Sequence, residues 1–453
     1  MSSLHREESH RPGDRRPLPR QILALAVPAL GALVAEPLFL LADTAIIGRL
    51  GVVELAGAAL GVTVMHTVVG LMIFLAYSTT PAVARLVGAG RETKALAAGR
   101  DGLWLALMLG VVLALLGAAA ADPLLSAMGA EGATHQHALR YLLWSLPGLP
   151  AMLLVFAAVG MLRGFQDTKT PLVVAAAGFG ANAVLNLILV HPVGLGVAGA
   201  AIGTSLAQWG MAAAYLWMLI PRMRAAAVPL GPEPAALRRT AGVGSWMMLR
   251  TVTLRAAIVA TVVVATDLGP ETLAAHQVAF TFFSTLAFVL DALAIAAQAL
   301  IGRELGAGRA DSARRMVRVM TLWGVGFGVV VGVLTAAAAP WVPYLFTPDA
   351  AVAGAITVAL FVLAASQPLA GWVFVLDGVL MGAGDVRYLA LAGIVNLTVY
   401  LPVLWWVHQS VSGGEPNQII LALWLAFAVV FMGARALTLG LRALGSRWMV
   451  LGV

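Results

Sequence analysis

Six charged side chains lie deep inside long apolar runs of this 453-residue chain: Glu36, Asp43, Arg250, Arg255, Asp291 and Asp377. A charge at the centre of a bilayer costs about 2.5–3.5 kcal/mol on insertion scales, so it persists where it is paired, hydrated or used. Asn182 and Asn186 are one helical turn apart and share a face, and Thr204 and Ser205 follow in the next apolar run. A carboxylate among amides and hydroxyls can exchange a proton or hold a cation; amides and hydroxyls also serve as ordinary hydrogen-bonding glue between helices. Asp43 lies near the end of its run and can equally be read as a wetted helix-end residue. Arg250 can snorkel to the aqueous boundary. Glu36 and Arg255 sit at similar depth and can pair across the molecule. Pro28 and Pro37 share the Asp43 segment; proline removes a helix hydrogen bond and permits a kink, which makes Pro28 the candidate hinge.

The elements that must position these groups follow from composition. Hydrophobic residues make up 61% and charged residues 11%, and the mean hydropathy is +0.93. A soluble domain has about 45–50% apolar and about 25% charged residues, so most of this exterior must face lipid. The unbroken apolar runs read as helices, not as the short alternating segments of a barrel. Twelve spans are expected near 22–47, 55–80, 96–118, 136–162, 171–192, 196–219, 241–267, 273–302, 316–338, 352–381, 386–408 and 418–440. The expectation is an all-α membrane protein. With no cysteine, disulfides and thiolate metal sites are excluded. No phosphate-binding glycine loop, paired-histidine motif or nucleotide fingerprint occurs, which points away from an enzyme, an ATP-driven machine or a resident cofactor. The polar stretch 1–20 precedes an apolar run too long for a signal peptide and reads as an uncleaved, disordered tail.

Charge sets the orientation. Of the 28 basic residues, all but Arg49, Arg140, Arg250 and Arg255 fall on alternate loops or termini. That group includes Arg163 after the fourth span and Arg435 at the C-terminal end. Positive loops stay in the cytoplasm, so both termini are expected there, in a bacterial inner membrane. The net charge of +7 thus reflects topology rather than nucleic-acid binding. Gly88-Ala89-Gly90-Arg91 recurs as Gly306-Ala307-Gly308-Arg309, an offset of 218 that also relates Leu50-Gly51 to Leu268-Gly269, Arg85 to Arg303, Pro150 to Pro368, Gly164 to Gly382 and Asp167 to Asp385. Six spans separate the copies. The expected organisation is therefore a tail at 1–20, a six-helix lobe at 21–220, a cytoplasmic linker at 221–240, a second six-helix lobe at 241–440 and a tail at 441–453. A pseudo-two-fold axis along the membrane normal would relate the lobes.

Ala42-Asp43-Thr44-Ala45-Ile46-Ile47-Gly48-Arg49-Leu50-Gly51 resembles the first-helix signature of the multidrug and toxic compound extrusion (MATE) family. So do Arg163-Gly164-Phe165-Gln166-Asp167-Thr168-Lys169-Thr170-Pro171, the run from Gly194 to Thr204, and Leu273-Ala274-Ala275-His276-Gln277. Leu290-Asp291 with Ala296-Ala297-Gln298-Ala299-Leu300-Ile301-Gly302, and Leu376-Asp377-Gly378, resemble its DinF-like branch. The resemblance implies an antiporter that expels small organic, often cationic, compounds against protons or sodium. It implies that Asp43 is the first-helix acid of the cation cycle and that Asn182 and Thr204 are polar partners in its site. The family often carries an aspartate where this chain has Asn186, so a sodium ion at Asp43, Asn182 and Thr204 would have one anionic ligand. Proton coupling is favoured on that ground. The alternatives are a lipid-linked saccharide flippase, disfavoured because Arg250 and Arg255 are the intramembrane basic residues counted, and a non-transporting receptor or scaffold. The bilayer and small molecules are the expected partners, for a monomer.

The charge alternation predicts that reporters fused after Gly90 or Gly308 signal the cytoplasm and those near Glu131 or Asp349 the outside. A periplasmic C-terminus would overturn the span count.

Overall fold

The computed structural model describes residues 17–452, apart from the Glu36 side chain. Its helices are α1 (Leu18–Gly48), α2 (Val52–Met72), α3 (Phe74–Gly88), α4 (Glu92–Ala127), α5 (Gly132–Ser145), α6 (Leu149–Gly164), α7 (Lys169–Val190) and α8 (Gly196–Ala225). After a connector come α9 (Pro234–Asp267), α10 (Pro270–Gly306), α11 (Ala310–Ala338), α12 (Ala350–Gly382), α13 (Val386–Val411), α14 (Pro416–Leu425) and α15 (Met432–Leu444). The pairs α2–α3 and α5–α6 run nearly continuously, and a π-helical turn at Ala426–Phe431 joins α14 to α15. Prolines open α9, α10 and α14, where the missing N–H is an orphan in any case. Eleven helical stretches among the described residues are long and apolar enough to cross a membrane. α8 has the length, 30 residues, but Thr204, Ser205 and Gln208 interrupt its apolar character. The chain is thus an all-α, multi-pass membrane protein.

The expected spans fall on these helices, most of whose ends extend further into the loops, while α7 stops at Val190, two residues short of its expected end. Helix covers much of the expected 221–240 linker: α8 reaches Ala225 and α9 starts at Pro234. The short connector between them is tied down. Arg100 of α4 donates to the Pro229 carbonyl at 2.8 Å and pairs with Glu233 at 3.3 Å, and the Trp104 indole donates to the Leu230 carbonyl at 2.8 Å. Of the expected tail at 1–20, residues 1–16 lie outside the described residues, and Leu18 already begins α1. The expected tail at 441–453 is not a free tail. Trp448 is buried, and the Gly452 amide donates to the Leu305 carbonyl at 3.0 Å.

Close packing repeats with the duplication. Gly110 lies against Pro150 and Gly328 against Pro368; Gly160 lies on the Ala76 carbonyl and Gly378 on that of Ala294; Gly164 lies on the Thr80 carbonyl and Gly382 on that of Gln298. Each second contact is the first displaced by the sequence offset. Helices in lipid gain little from apolar burial against one another, so they associate by such approaches of small residues, where backbones can meet.

The two copies also meet each other. Gly88, at the end of α3, lies on the Arg303 carbonyl of α10, and Gly306, at the end of α10, lies on the Arg85 carbonyl of α3. This reciprocal crossing is locked by the Arg85 guanidinium, which donates to the carbonyls of Ala383, Val450 and Gly452 at 2.7, 2.7 and 2.6 Å. Arg303 donates to the Gln166 side chain at 2.5 Å. The ends of α3 and α10 that lead into basic loops are therefore held together. Gly90 and Gly308 just beyond it adopt φ of 71° and 75°, a left-handed conformation that a side chain would strain.

A side chain at Gly306 must push against backbone. Gly306→Leu is expected to destabilise the crossing by about 1–3 kcal/mol, as overpacking does. Because the chain has no native cysteine, maleimide labelling of Ala84→Cys, at a position 0% exposed in this interface, reports the change. Labelling should accelerate when Gly306→Leu is added; an unchanged rate would show that the crossing is not a close contact in the membrane.

Candidate functional site

α1, α7 and α8 converge on one hydrogen-bonded chain. The Asn186 amide donates to Asp43 Oδ1 at 2.6 Å and to Asn182 Oδ1 at 2.9 Å, and the Asn182 amide donates to Thr204 Oγ1 at 3.0 Å. Asp43, Asn182 and Asn186 are all buried. The four residues singled out as polar neighbours in the sequence are thus brought into one site. Helix periodicity aligns Asn182 and Asn186, while Gly203 makes room for them: any Cβ there would collide with Asn186 Oδ1. Asp43, with Tyr141, Thr204 and Ser205, also lines a small cavity. The Asp43 carboxylate is therefore neither a solvent-washed helix end nor fully sealed.

α1 runs unbroken through Pro28 and Pro37. Pro28 cannot donate to the Ala24 carbonyl, which instead takes a long hydrogen bond, 3.4 Å, from the Thr168 hydroxyl. The next residue, Ala29, is buried with Ala292 and Ile295 of α10. The weak point of α1 is thus also where α1 touches the second sequence copy.

Next to the Asp43 cavity lies a larger one of about 140 Å³, lined by Phe39, Tyr77, Phe156, Arg163, Phe179 and Tyr215 among others. Phe39 and Phe179 stack with centroids 5.1 Å apart. A third cavity, about 400 Å³, lies among α9, α10, α12 and α15 and shares Ile73 and Tyr77 with the second. It contains Arg250, Arg255, Asp291 and Asp377.

These charges are more ordered than the sequence indicated. Asp377 accepts from Arg250 and also pairs with Arg435 at 3.3 Å. Arg250 is therefore held in the interior and does not snorkel. Arg435, assigned from sequence to the cytoplasmic C-terminal end, is 7% exposed and packs near the Phe374 and Phe431 rings. The π-helical turn that precedes α15 offsets this segment from regular helical phase. Arg163 is likewise not a loop residue: it closes α6 and is 8% exposed. Both were read by nearness to a span end, and only their residue type inside a helix could have flagged them. Arg255 lines the third cavity and approaches Gly70. Its expected partner Glu36 has a side chain outside the described residues. Among the described residues, no cluster of three or more His, Cys, Asp or Glu side chains suits a metal ion.

The MatE family model matches residues 28–188 and 247–406. The two segments fall one in each sequence copy. Protein DETOXIFICATION 44, chloroplastic, of Arabidopsis thaliana is 31% identical over 392 residues, covering 83% of this chain and 74% of that protein. DNA damage-inducible protein F of Escherichia coli K12 is 28% identical over 436 residues, covering 92% and 90%. The fold is similar to that of the Vibrio cholerae MATE transporter VcmN in its bent form, with a TM-score of 0.85 at 21% identity, covering 96% of this chain and 98% of that one.

The role of Gly203 is open to a direct check. Gly203→Ala should lower stability by about 1–3 kcal/mol through overpacking against Asn186, read by unfolding in detergent. Asn186→Ser, which shortens the opposing side chain, should recover part of that loss when combined with it. Additive losses in the double variant would place the strain elsewhere.

Proposed function

The chain belongs to the MATE family of membrane transporters, in its DinF-like branch, and on that premise we propose that it is a secondary active antiporter that exports small organic compounds in exchange for protons. The observation that carries this reading is the buried chain from Asp43 through Asn186 and Asn182 to Thr204, which gives an apolar region a carboxylate beside a cavity. We place the twelve helical rods in two six-span lobes about an axis along the membrane normal, with a short linker near 226–233, both termini in the cytoplasm of a bacterial inner membrane, and a monomer as the working unit. The closed crossing of α3 and α10 at the basic-loop end then makes this an outward-facing arrangement.

The hydrogen-bond pattern favours protons over sodium. A sodium ion at Asp43, Asn182 and Thr204 would have one anionic ligand, and Asp43 Oδ1, Asn182 Oδ1 and Thr204 Oγ1 each already face an amide N–H, which leaves the neutral Asn186 Oδ1 as the unpartnered oxygen of the cluster. A proton needs one carboxylate oxygen. In the proposed cycle, protonation of Asp43 from outside removes the charge that holds the Asn186 amide. α1 then shifts about Pro28 and moves Ala29 against α10. Substrate is released outward, and deprotonation toward the cytoplasm resets the site. One charge moving through about 100 mV supplies about 2.3 kcal/mol, enough for roughly a 50-fold gradient of a neutral substrate; each pH unit adds about 1.4 kcal/mol. The flippase alternative needs several free cations gathered at one pyrophosphate; of the four cavity arginines, Arg250 and Arg435 are engaged by Asp377, and the remaining two, Arg163 and Arg255, line separate cavities.

In liposomes with an imposed pH gradient, Asp43→Asn should keep the fold and abolish gradient-driven export, because an amide cannot cycle a proton. Equal export by Asp43→Asn and the wild type would sink the coupling assignment. Asn186→Asp supplies a second anionic oxygen suited to a hard cation and should introduce sodium dependence; no response to sodium would show that the two positions do not act together.

A further inference from the structure

Arg163 stands apart from the other buried arginines. It is 8% exposed, and among the described residues it makes no direct ion pair, side-chain hydrogen bond or ring contact; Asp291, Tyr77 and Tyr215 act on it only at longer range. Arg250 and Arg435 share Asp377, and Arg100 has Asp101. An arginine stays charged at any physiological pH, so it cannot escape burial by losing its proton. An unpaired charge buried in protein is strongly unfavourable. The fold keeps one nonetheless, and it faces an aromatic cavity: Met152, Phe156, Val159 and Arg163 lie on one face of α6 and all line that space. The adjoining cavity, reached past Ile73 and Tyr77, carries a second guanidinium without a partner among the described residues, that of Arg255. Together the two cavities hold Arg163, Arg250, Arg255 and Arg435 against Asp291 and Asp377, an excess of positive charge.

From this we infer that the exported compounds are organic anions with an aromatic body, and that Arg163 is the receptor for their anionic group, with Arg255 as a second. The inference rests on the transport reading above and names its substrate class. The ligand brings the direct counter-charge that Asp291 supplies only at longer range, while Phe39, Phe156, Phe179 and the rings around the third cavity receive the aromatic part. A guanidinium and a carboxylate make two parallel charge-assisted hydrogen bonds, which fixes orientation as well as affinity. The substrate charge does not compete directly with the Asp43 proton. Met152, which lines the Asp43 cavity as well, is about 16 Å from Arg163 along α6 at the helical rise per residue. Coupling between the two ends is therefore conformational.

The test is binding to the purified protein in detergent, which needs no gradient, with three ligands that share one ring and differ in charge: 1-naphthylacetate, 1-naphthylacetamide and 1-naphthylethylammonium. The carboxylate should bind about tenfold or more tighter than the amide, the scale of one charged hydrogen bond, and the ammonium weakest. Arg163→Gln should remove that preference, Arg163→Lys should keep part of it, and Arg255→Gln should reduce it. Without ligand, Arg163→Gln should melt higher than the wild type, because it relieves an unpaired charge; a merely structural arginine would give a lower melting point. Asp291→Asn, which removes a repelling anion, should tighten carboxylate binding. Dihexanoyl phosphatidylglycerol at equal concentration should not displace the naphthylacetate; displacement would assign the site to lipid and overturn the inference. Equal binding of carboxylate and amide, tightest binding of the ammonium, or an intact preference in Arg163→Gln would overturn it as well. Anion binding without gradient-driven export would instead sink the transport reading alone.

Discussion

A charge removed from water must find a partner, a pool of solvent or a proton, and this constraint orders the interior of the protein. The two sequence copies meet it differently. In the first, a single carboxylate, Asp43, is held by one amide, and the amide is held by a second amide and a hydroxyl. The arrangement is neutral apart from one group, so a single proton changes its net charge. In the second, Asp377 is clamped between two arginines. Neither arginine can give up its charge, so this cluster is suited to fix α9, α12 and α15 relative to one another. The duplication supplied two similar frames, and the polar substitutions gave one a lone carboxylate among neutral groups and the other a paired charge cluster.

The frame itself depends on glycine meeting a carbonyl. Within each copy, Gly160 and Gly378, and Gly164 and Gly382, allow helices to approach until backbones touch. Between copies, Gly88 and Gly306 do the same in a reciprocal crossing. Contacts of this kind pack well in one geometry and lose most of their attraction after a small displacement, so they favour discrete arrangements over continuous bending. The Arg85 guanidinium and the folded C-terminal segment reinforce the crossing. Pro28 meets the same helix, α10, further along its length, where Ala29 packs on Ala292 and Ile295, about three to four turns from Gly306.

The sequence by itself determined the elements and most of the first site. Long apolar runs with few charges admit helices in lipid and little else, so the spans and their order were legible to within a few residues. The 218-residue offset announced packing contacts that recur with the same spacing. Asp43, Asn182, Asn186 and Thr204 were legible because polar groups in apolar helices are few and each must be accounted for.

Only the tertiary structure decided which charges share a partner. Asp377 lies far in the chain from both Arg250 and Arg435, and no local pattern links them. Arg435 and Arg163 were read as boundary residues because both lie near span ends, where a long side chain ordinarily reaches water; the packing of α15 and α6 turns them inward instead. The same limit applies to the C-terminal segment, which reads as a tail until the carbonyls of Val450 and Gly452 meet Arg85. Sequence fixes what a segment can tolerate around it, through hydropathy and local hydrogen bonding. Which distant group arrives there depends on how the helices cross, and that is decided by close contacts summed over the whole fold.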